Sequence, residues 1–322
     1  MKFFDSVWLT QRLPPIQRIR LRSEPDYYGI SYLIAQDLGY KWVPRSFAQW
    51  LHGWIFTTPI TNPREITFWG NSTDRILVTT DYQVKQLEAF GYTNAYAAGL
   101  PFIYGALIPV TRQPNSLLVM PSHSSAYTEK LINQEDYIQF ILKFKSDFNQ
   151  IIFCLHGSCV EKNYWVPMIE KYGIPWVIGA STDDRNALIR MNIILRSFDT
   201  MTTNVMGSHI AYAATAGCRI SIAGDYASPK AEEFRHDPWY QKYPDLLEKH
   251  ISIFHKSDIC RRFPQFFMLP IEAEKHIAWG KEQVGMSYKL PSKELSQSLG
   301  WTPLEQLQGY THRIIQKIIS GN

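Results

Sequence analysis

Residues able to do chemistry gather just after the short apolar runs in the second half of the chain. Residues 116–120 (SLLVM) lead into Pro121-Ser122-His123-Ser124-Ser125, and 150–155 (QIIFCL) into His156-Gly157-Ser158. Residues 175–178 (PWVI) lead into Gly179-Ala180-Ser181-Thr182-Asp183-Asp184, and Thr202-Thr203-Asn204 ends the next run. Hydroxyls, imidazoles and small residues suit the oxygens of a phosphate or a sugar. In an open parallel sheet, ligands bind beyond the carboxyl ends of the strands, where these residues would fall.

Asn204 reads as the N-cap of a helix over 205–216, in which Gly207 would let a ligand approach the backbone and Ser208 and His209 occupy the first turn. A helix N-terminus has unpaired N–H groups and partial positive charge, so it favours a diphosphate without a metal. Capping alone explains Thr202, Thr203 and Asn204 equally well. His123 and His156 could hold phosphate or ribose oxygens as a pair, and neither H-x-x-x-H nor H-E-x-x-H spacing occurs, so zinc is not indicated. In the first half, His52 stands between Trp50 and Trp54 beside Gly53. It either packs as core or serves as a general base. Asp74, Asp81 and Glu88 are alternative bases, read as surface or capping charges. Asp183-Asp184 could be a metal-binding pair, but it also fits the acidic start of a helix before Arg185.

The periodicity supplies the elements that would position these groups. In the first half, a helix over 29–40 ending at Gly39, an apolar segment over 46–56, a strand over 75–80, a helix over 81–90 and a strand over 95–98 form a strand–helix–strand unit. In the second half, strands over 116–120, 150–155, 175–178, 200–203 and 219–223 alternate with helices over 135–148, 160–172, 185–197 and 205–216. That alternation predicts an α/β chain with a doubly wound parallel sheet. Residues 108–115 (IPVTRQPN) read as the link between halves. An irregular aromatic stretch then precedes late helices over 270–284 and 303–319.

At 322 residues the chain is long enough for two domains of roughly 100–200 residues each. Hydrophobic residues at 45% and charged residues at 19% are globular proportions, and 14% aromatic content suits ring-lined clefts. The formal charge of +4 comes from Lys and Arg spread along the chain, which favours phosphorylated ligands or peripheral contact with an anionic membrane over specific nucleic-acid binding. Cys154, Cys159, Cys218 and Cys260 form no C-x-x-C pair and read as buried free thiols of a reducing compartment. Residues 1–22 carry neither a signal-peptide core nor a spanning run, so a cytoplasmic location is expected, at the inner face of the membrane if membrane contact is made. No P-loop, G-x-G-x-x-G or G-x-S-x-G motif occurs, which removes the main support for P-loop NTPase, dehydrogenase and α/β-hydrolase readings.

Three segments resemble a family. Residues 91–105 (GYTNAYAAGLPFIYG) resemble the end of the N-terminal domain of GT-B glycosyltransferases. Residues 198–224 (FDTMTTNVMGSHIAYAATAGCRISIAG) resemble the donor-site strand–helix–strand of bacterial capsule and lipopolysaccharide glycosyltransferases. QWLHGW at 49–54 is similar to the His-Gly element of teichoic-acid and capsule polymerases, with Leu51 separating Trp50 from His52. The resemblance covers roughly residues 45–225. It implies two Rossmann-like domains with parallel sheets facing across a cleft: an acceptor-side domain over 1–110, a nucleotide-sugar domain over 111–270, and a helical extension over 271–322 packing back on the first. It further implies His52 as base, and Ser122, His123, Thr203, Asn204, Ser208 and His209 around the diphosphate or sugar; Ser124, His156, Gly157, Thr202 and Gly207 join them as candidates for the nucleotide-sugar site from the reading of the strand ends. The partners would be that donor and a glycan or glycolipid acceptor, with no metal and no other cofactor. Where the family often has a Glu in the helix after the donor strand, this chain has Ser208 and His209. A sugar-nucleotide epimerase or hydrolase, or a silent nucleotide-sugar-binding subunit, remains compatible with the same architecture.

Overall fold

The computed structural model describes residues 6–68, 70–105, 108–124, 127–128 and 131–320, with the side chains of 316, 317, 319 and 320 excepted. Met1–Asp5, read above with the N-terminal segment, and Ser125, read above as a strand-end hydroxyl, lie outside the described residues. Two compact units emerge, and the chain passes between them more than once. One comprises Met1–Pro15, Leu107–Ser181 and Ile189–Lys281, and the other Ile16–Ala106, Thr182–Leu188 and Glu282–Asn322. Residues 282–322 thus group with 16–106, and residues 1–15 and 182–188 are exchanged between the two halves of the chain. Both units are α/β and built on a parallel sheet.

The smaller sheet contains β1 (Ala48–Trp50), β2 (Arg75–Val78) and β3 (Ala95–Ala97), all parallel in that order. Its core joins Ile30, Ile34 and Ala35 to Trp50, Leu77, Ala98, Leu188, Leu295, Leu299 and Trp301, so apolar residues far apart in sequence close one interior. Fully buried Trp50 donates its indole N–H to Gly99 O at 2.9 Å. That bond fixes the carboxyl end of β1. Residues 46–56, apolar in sequence, contribute only this three-residue strand, because His52 and Gly53 turn the chain away from the sheet.

The larger sheet runs β6-β5-β4-β7-β8-β9, with β4 (Gln113–Val119), β5 (Gln150–Leu155), β6 (Trp176–Ile178), β7 (Phe198–Thr203), β8 (Arg219–Ile222) and β9 (Glu274–Lys275). The first five are parallel, and β9 closes the edge antiparallel to β8. Winding runs outward from β4 through β5 and β6, then starts again beside β4 with β7 and β8. The switch point of this doubly wound sheet therefore lies between β4 and β7. Leu117, Val119, Ile151, Phe153 and Leu155 pack with Tyr137, Ile138, Ile141, Trp165 and Ile169 on one face.

Three local expectations are corrected. β4 starts at Gln113, inside the segment read as a link, and its register against β7 shifts between Gln113 and Leu117. The helix expected over 160–172 is two helices, Gly157–Glu161 and Val166–Lys171, separated where Asn163 (φ 53°) and Trp165 (φ 75°) take left-handed backbone. The wholly buried indole of Trp165 explains the break, since its N–H is drawn 2.8 Å from Ser122 O. The late helix over 270–284 yields a 3-10 turn, β9 and the helix Ile277–Gln283.

Candidate functional site

At the switch point, the segments leaving β4 and β7 are bonded to each other. The buried N–H of Ser122 donates to Asn204 Oδ1 at 2.8 Å, and the Asn204 carbonyl accepts Ala227 N–H at 2.8 Å. Asn204 is therefore not an N-cap. The helix begins later, at Ser208–Ala216, behind Gly207 and without a side-chain cap, because the Asn204 amide is engaged across the sheet instead. Gly207 has extended backbone (φ 178°), and a Cβ there would come within 3.1 Å of His209 Nδ1, so its small size makes room for that imidazole.

Two polar groups here have unusual surroundings. Ser122 Oγ and Asn204 Nδ2 are buried and have no hydrogen-bond partner among the described residues, while their residues are 0% and 1% exposed. Buried polar atoms are nearly always paired in native proteins, so orphans at a strand end call for a ligand or a water.

Histidines surround this point. The His123 and His156 rings lie 4.8 Å apart, with His123 exposed. His156 caps the helix Gly157–Glu161: its Nδ1 accepts Ser158 N–H at 3.2 Å and lies 2.7 Å from Ser158 Oγ. Ser158 Oγ also donates to Ser124 O at 2.5 Å, which ties the β4 and β5 strand ends together. Gly157 packs so tightly on Ser181 that a Cβ would fall 1.8 Å from its Oγ. His209 Nε2 is 3.0 Å from Thr203 Oγ1. Burial lowers His156 to about 4 and His209 to about 3, the latter assisted by the charge of His123. Both imidazoles are neutral at physiological pH.

The structure thus brings together Ser122, His123, Ser124, His156, Gly157, Thr203, Asn204, Gly207, Ser208 and His209 on one sheet edge. Thr202 differs, since its Oγ1 lies 3.2 Å from Ser221 Oγ within the sheet. His52 belongs to the other unit, among the rings of Tyr27 (5.2 Å), Tyr28 (5.9 Å) and Phe68 (6.1 Å). Burial lowers it to about 4. The pair Asp183-Asp184 is structural: Asp183 pairs with Arg18, and Asp184 Oδ1 accepts Gln17 N–H at 2.8 Å and Asn186 N–H at 3.0 Å. No group of three or more His, Cys, Asp or Glu among the described residues is placed to hold a metal ion. Nor is any helix among them long and apolar enough to cross a membrane.

No protein-family model matches the chain, and no curated protein matches it. Among solved structures, TarM matches with a TM-score of 0.30 and 11% identity, covering 69% of this chain and 42% of TarM. The GtfA/B complex gives 0.35 and 14%, covering 81% of this chain and 52% of the other. The pneumococcal O-GlcNAc transferase GtfA in complex with UDP and GlcNAc gives 0.32 and 15%, with the same coverages of 81% and 52%. The chain spans about half the length of the structures it matches.

Glu24 has unusual surroundings that the sequence pattern passes over. It opens a 3-10 turn, Glu24–Gly29, and its Oε2 accepts the Trp50 N–H at 3.3 Å at the end of β1. Burial raises its carboxyl to about 7 against the opposing effect of that N–H. In the sequence it is one acidic residue before a proline, a common surface pattern at a helix start. Only packing reveals its surroundings.

Proposed function

We propose that this chain is a glycosyltransferase of the GT-B kind that binds a nucleotide-sugar at the β4–β7 switch point and transfers the sugar to a hydroxyl. The observation that carries the reading is the pair of buried, unpartnered groups Ser122 Oγ and Asn204 Nδ2 on that edge. The N-terminus of the nine-residue helix Ser208–Ala216 follows directly in the chain. A hydroxyl and an amide N–H suit the oxygens of a diphosphate, whose charge also interacts favourably with the helix dipole.

The same donors would serve the reaction as well as binding. Charge builds on the leaving diphosphate as the sugar–phosphate bond breaks, and fixed donors stabilise it more in the transition state than in the ground state. This scheme calls for no metal. Neutral imidazoles at 156 and 209 can hydrogen-bond to sugar or ribose hydroxyls. His52, also neutral, would accept a hydrogen bond from the acceptor hydroxyl in the smaller-sheet unit. The acceptor we propose is a precursor of a cell-surface polysaccharide or lipopolysaccharide, at the cytoplasmic face of the membrane.

A thermal-unfolding screen against UDP-, GDP-, CDP-, TDP- and CMP-linked sugars tests the donor site, since a ligand that binds only the folded state raises its Tm. A shift with one nucleotide, lost on Asn204→Ala, is expected. No shift across the panel rejects the reading. Free sugar released without an acceptor would instead indicate a hydrolase.

A further inference from the structure

The smaller-sheet unit carries a set of reactive groups of its own. Glu24 is half-buried at the carboxyl end of β1, where its Oε2 takes the Trp50 N–H. The turn it opens presents Tyr27 edge-on to His52 at 5.2 Å and Tyr28 at 5.9 Å. This turn is held in costly backbone. Tyr28 is left-handed (φ 58°, ψ 13°) and is followed by Gly29 at φ 80°. Tyr28 N–H donates to Thr182 O at 2.7 Å, and a Cβ on residue 29 would lie 1.9 Å from Arg185 O. Phe68, whose ring stacks near His52, is also at positive φ (45°). Left-handed backbone at a bulky residue costs about 1–3 kcal/mol and gathers at functional sites.

We propose that Glu24 is the general base of this chain, taking the proton of a carbohydrate hydroxyl held beside Tyr27, Tyr28 and His52. The assignment rests on the glycosyl-transfer reading. In the step, the acceptor oxygen forms a bond to the anomeric carbon while the bond from that carbon to the diphosphate oxygen breaks. Its electron pair leaves on the nucleoside diphosphate. The hydroxyl proton moves to Glu24 Oε1 and from there to solvent.

The surroundings of the carboxylate agree with that role. A base works best with a pKa near the operating pH, and burial brings Glu24 to about 7, whereas His52 at about 4 is a much weaker acceptor. Tyr27 is raised by burial, then by the charges of Glu24 and Tyr28, and Tyr28 is raised by burial, so both phenols remain protonated donors. On the same turn, Asp26 is paired with Arg22 at 3.3 Å.

Glu24→Gln tests the assignment because the amide oxygen can still accept the Trp50 N–H. Folding and donor-induced Tm shift are expected to persist, while kcat falls on the order of 10²–10⁴-fold and the acidic limb of the pH profile near pH 7 disappears. Turnover within threefold of wild type overturns the proposal. Carbodiimide-driven amine coupling at pH 7, mapped by mass spectrometry, needs no activity: it reacts with protonated carboxyls, so Glu24 should be labelled ahead of ordinary carboxylates. Absence of label at Glu24 overturns the proposal as well. If the wild-type protein turns over no sugar nucleotide, the glycosyl-transfer reading fails, and the labelling separately decides whether Glu24 is a reachable, titrating carboxyl.

Discussion

Ser122→Ala should move stability and ligand affinity in opposite directions. The Ser122 hydroxyl is wholly buried with no partner among the described residues, so the folded state carries its desolvation penalty without a compensating bond. Removing an unsatisfied buried group relieves a penalty of about 1–3 kcal/mol, reduced by the small void left behind. At about 2.1 cal/mol/K of unfolding entropy per residue, each kcal/mol shifts the Tm of a 322-residue chain by about 1.5 °C, so the free variant should melt no lower than wild type and up to about 4 °C higher. Binding should respond the other way. A hydrogen bond to a charged phosphate is worth about 1.5–3 kcal/mol, and its loss weakens donor binding roughly 10- to 150-fold at about 1.4 kcal/mol per tenfold. Asn204→Ala is the contrast, because Asn204 Oδ1 receives the buried Ser122 N–H. Losing it orphans a donor and should cost about 1–3 kcal/mol in the free protein. Calorimetric unfolding of the free proteins and titration with the donor found in the screen measure both quantities. If Ser122→Ala melts several degrees lower and binds donor as tightly as wild type, the hydroxyl is structural and the reasoning fails.

Further outcomes follow from the same geometry. His52, His156 and His209 stand near 4, 4 and 3 against an ordinary value of 6.5, so the unfolded chain binds more protons below that value. Their contribution is complete above about pH 6.5 and is lost as pH falls toward 4. Glu24, raised from 4.5 to about 7, acts in the opposite sense: its contribution is present below about 4.5 and lost as pH rises through 7. With three groups against one, Tm should fall between pH 6.5 and 4.5, and a flat Tm profile would refute the burial of the imidazoles. Gly29→Ala places a Cβ 1.9 Å from Arg185 O at φ 80° and should destabilise by on the order of 2–4 kcal/mol, read by denaturant unfolding; a change under 0.5 kcal/mol would refute the close approach. Trp165→Phe removes the indole N–H that reaches Ser122 O and should cost about 1–3 kcal/mol and weaken donor binding; an unchanged donor affinity would separate Trp165 from the site.

The sequence alone determined the grammar of this chain. Short apolar runs such as QIIFCL, alternating with helical periodicities, read as buried strands joined by crossover helices, so the α/β class and the polar strand ends are local properties. The tertiary structure decided which of those strands are neighbours. β4 pairs with β7 across about 80 residues of intervening chain, which turns two loops read separately into one site, and Asn204 is drawn from a cap to a bond with Ser122. It also decided what burial does to titrating groups. Glu24 in the sequence is one carboxylate before Pro25, and its pKa near 7 exists only because folding buries it away from water, against the opposing hydrogen bond from Trp50 N–H. Propensity and periodicity record what each segment does with its own neighbours in the chain. Desolvation, strand order and the passage of the chain between the units depend on contacts made at long range.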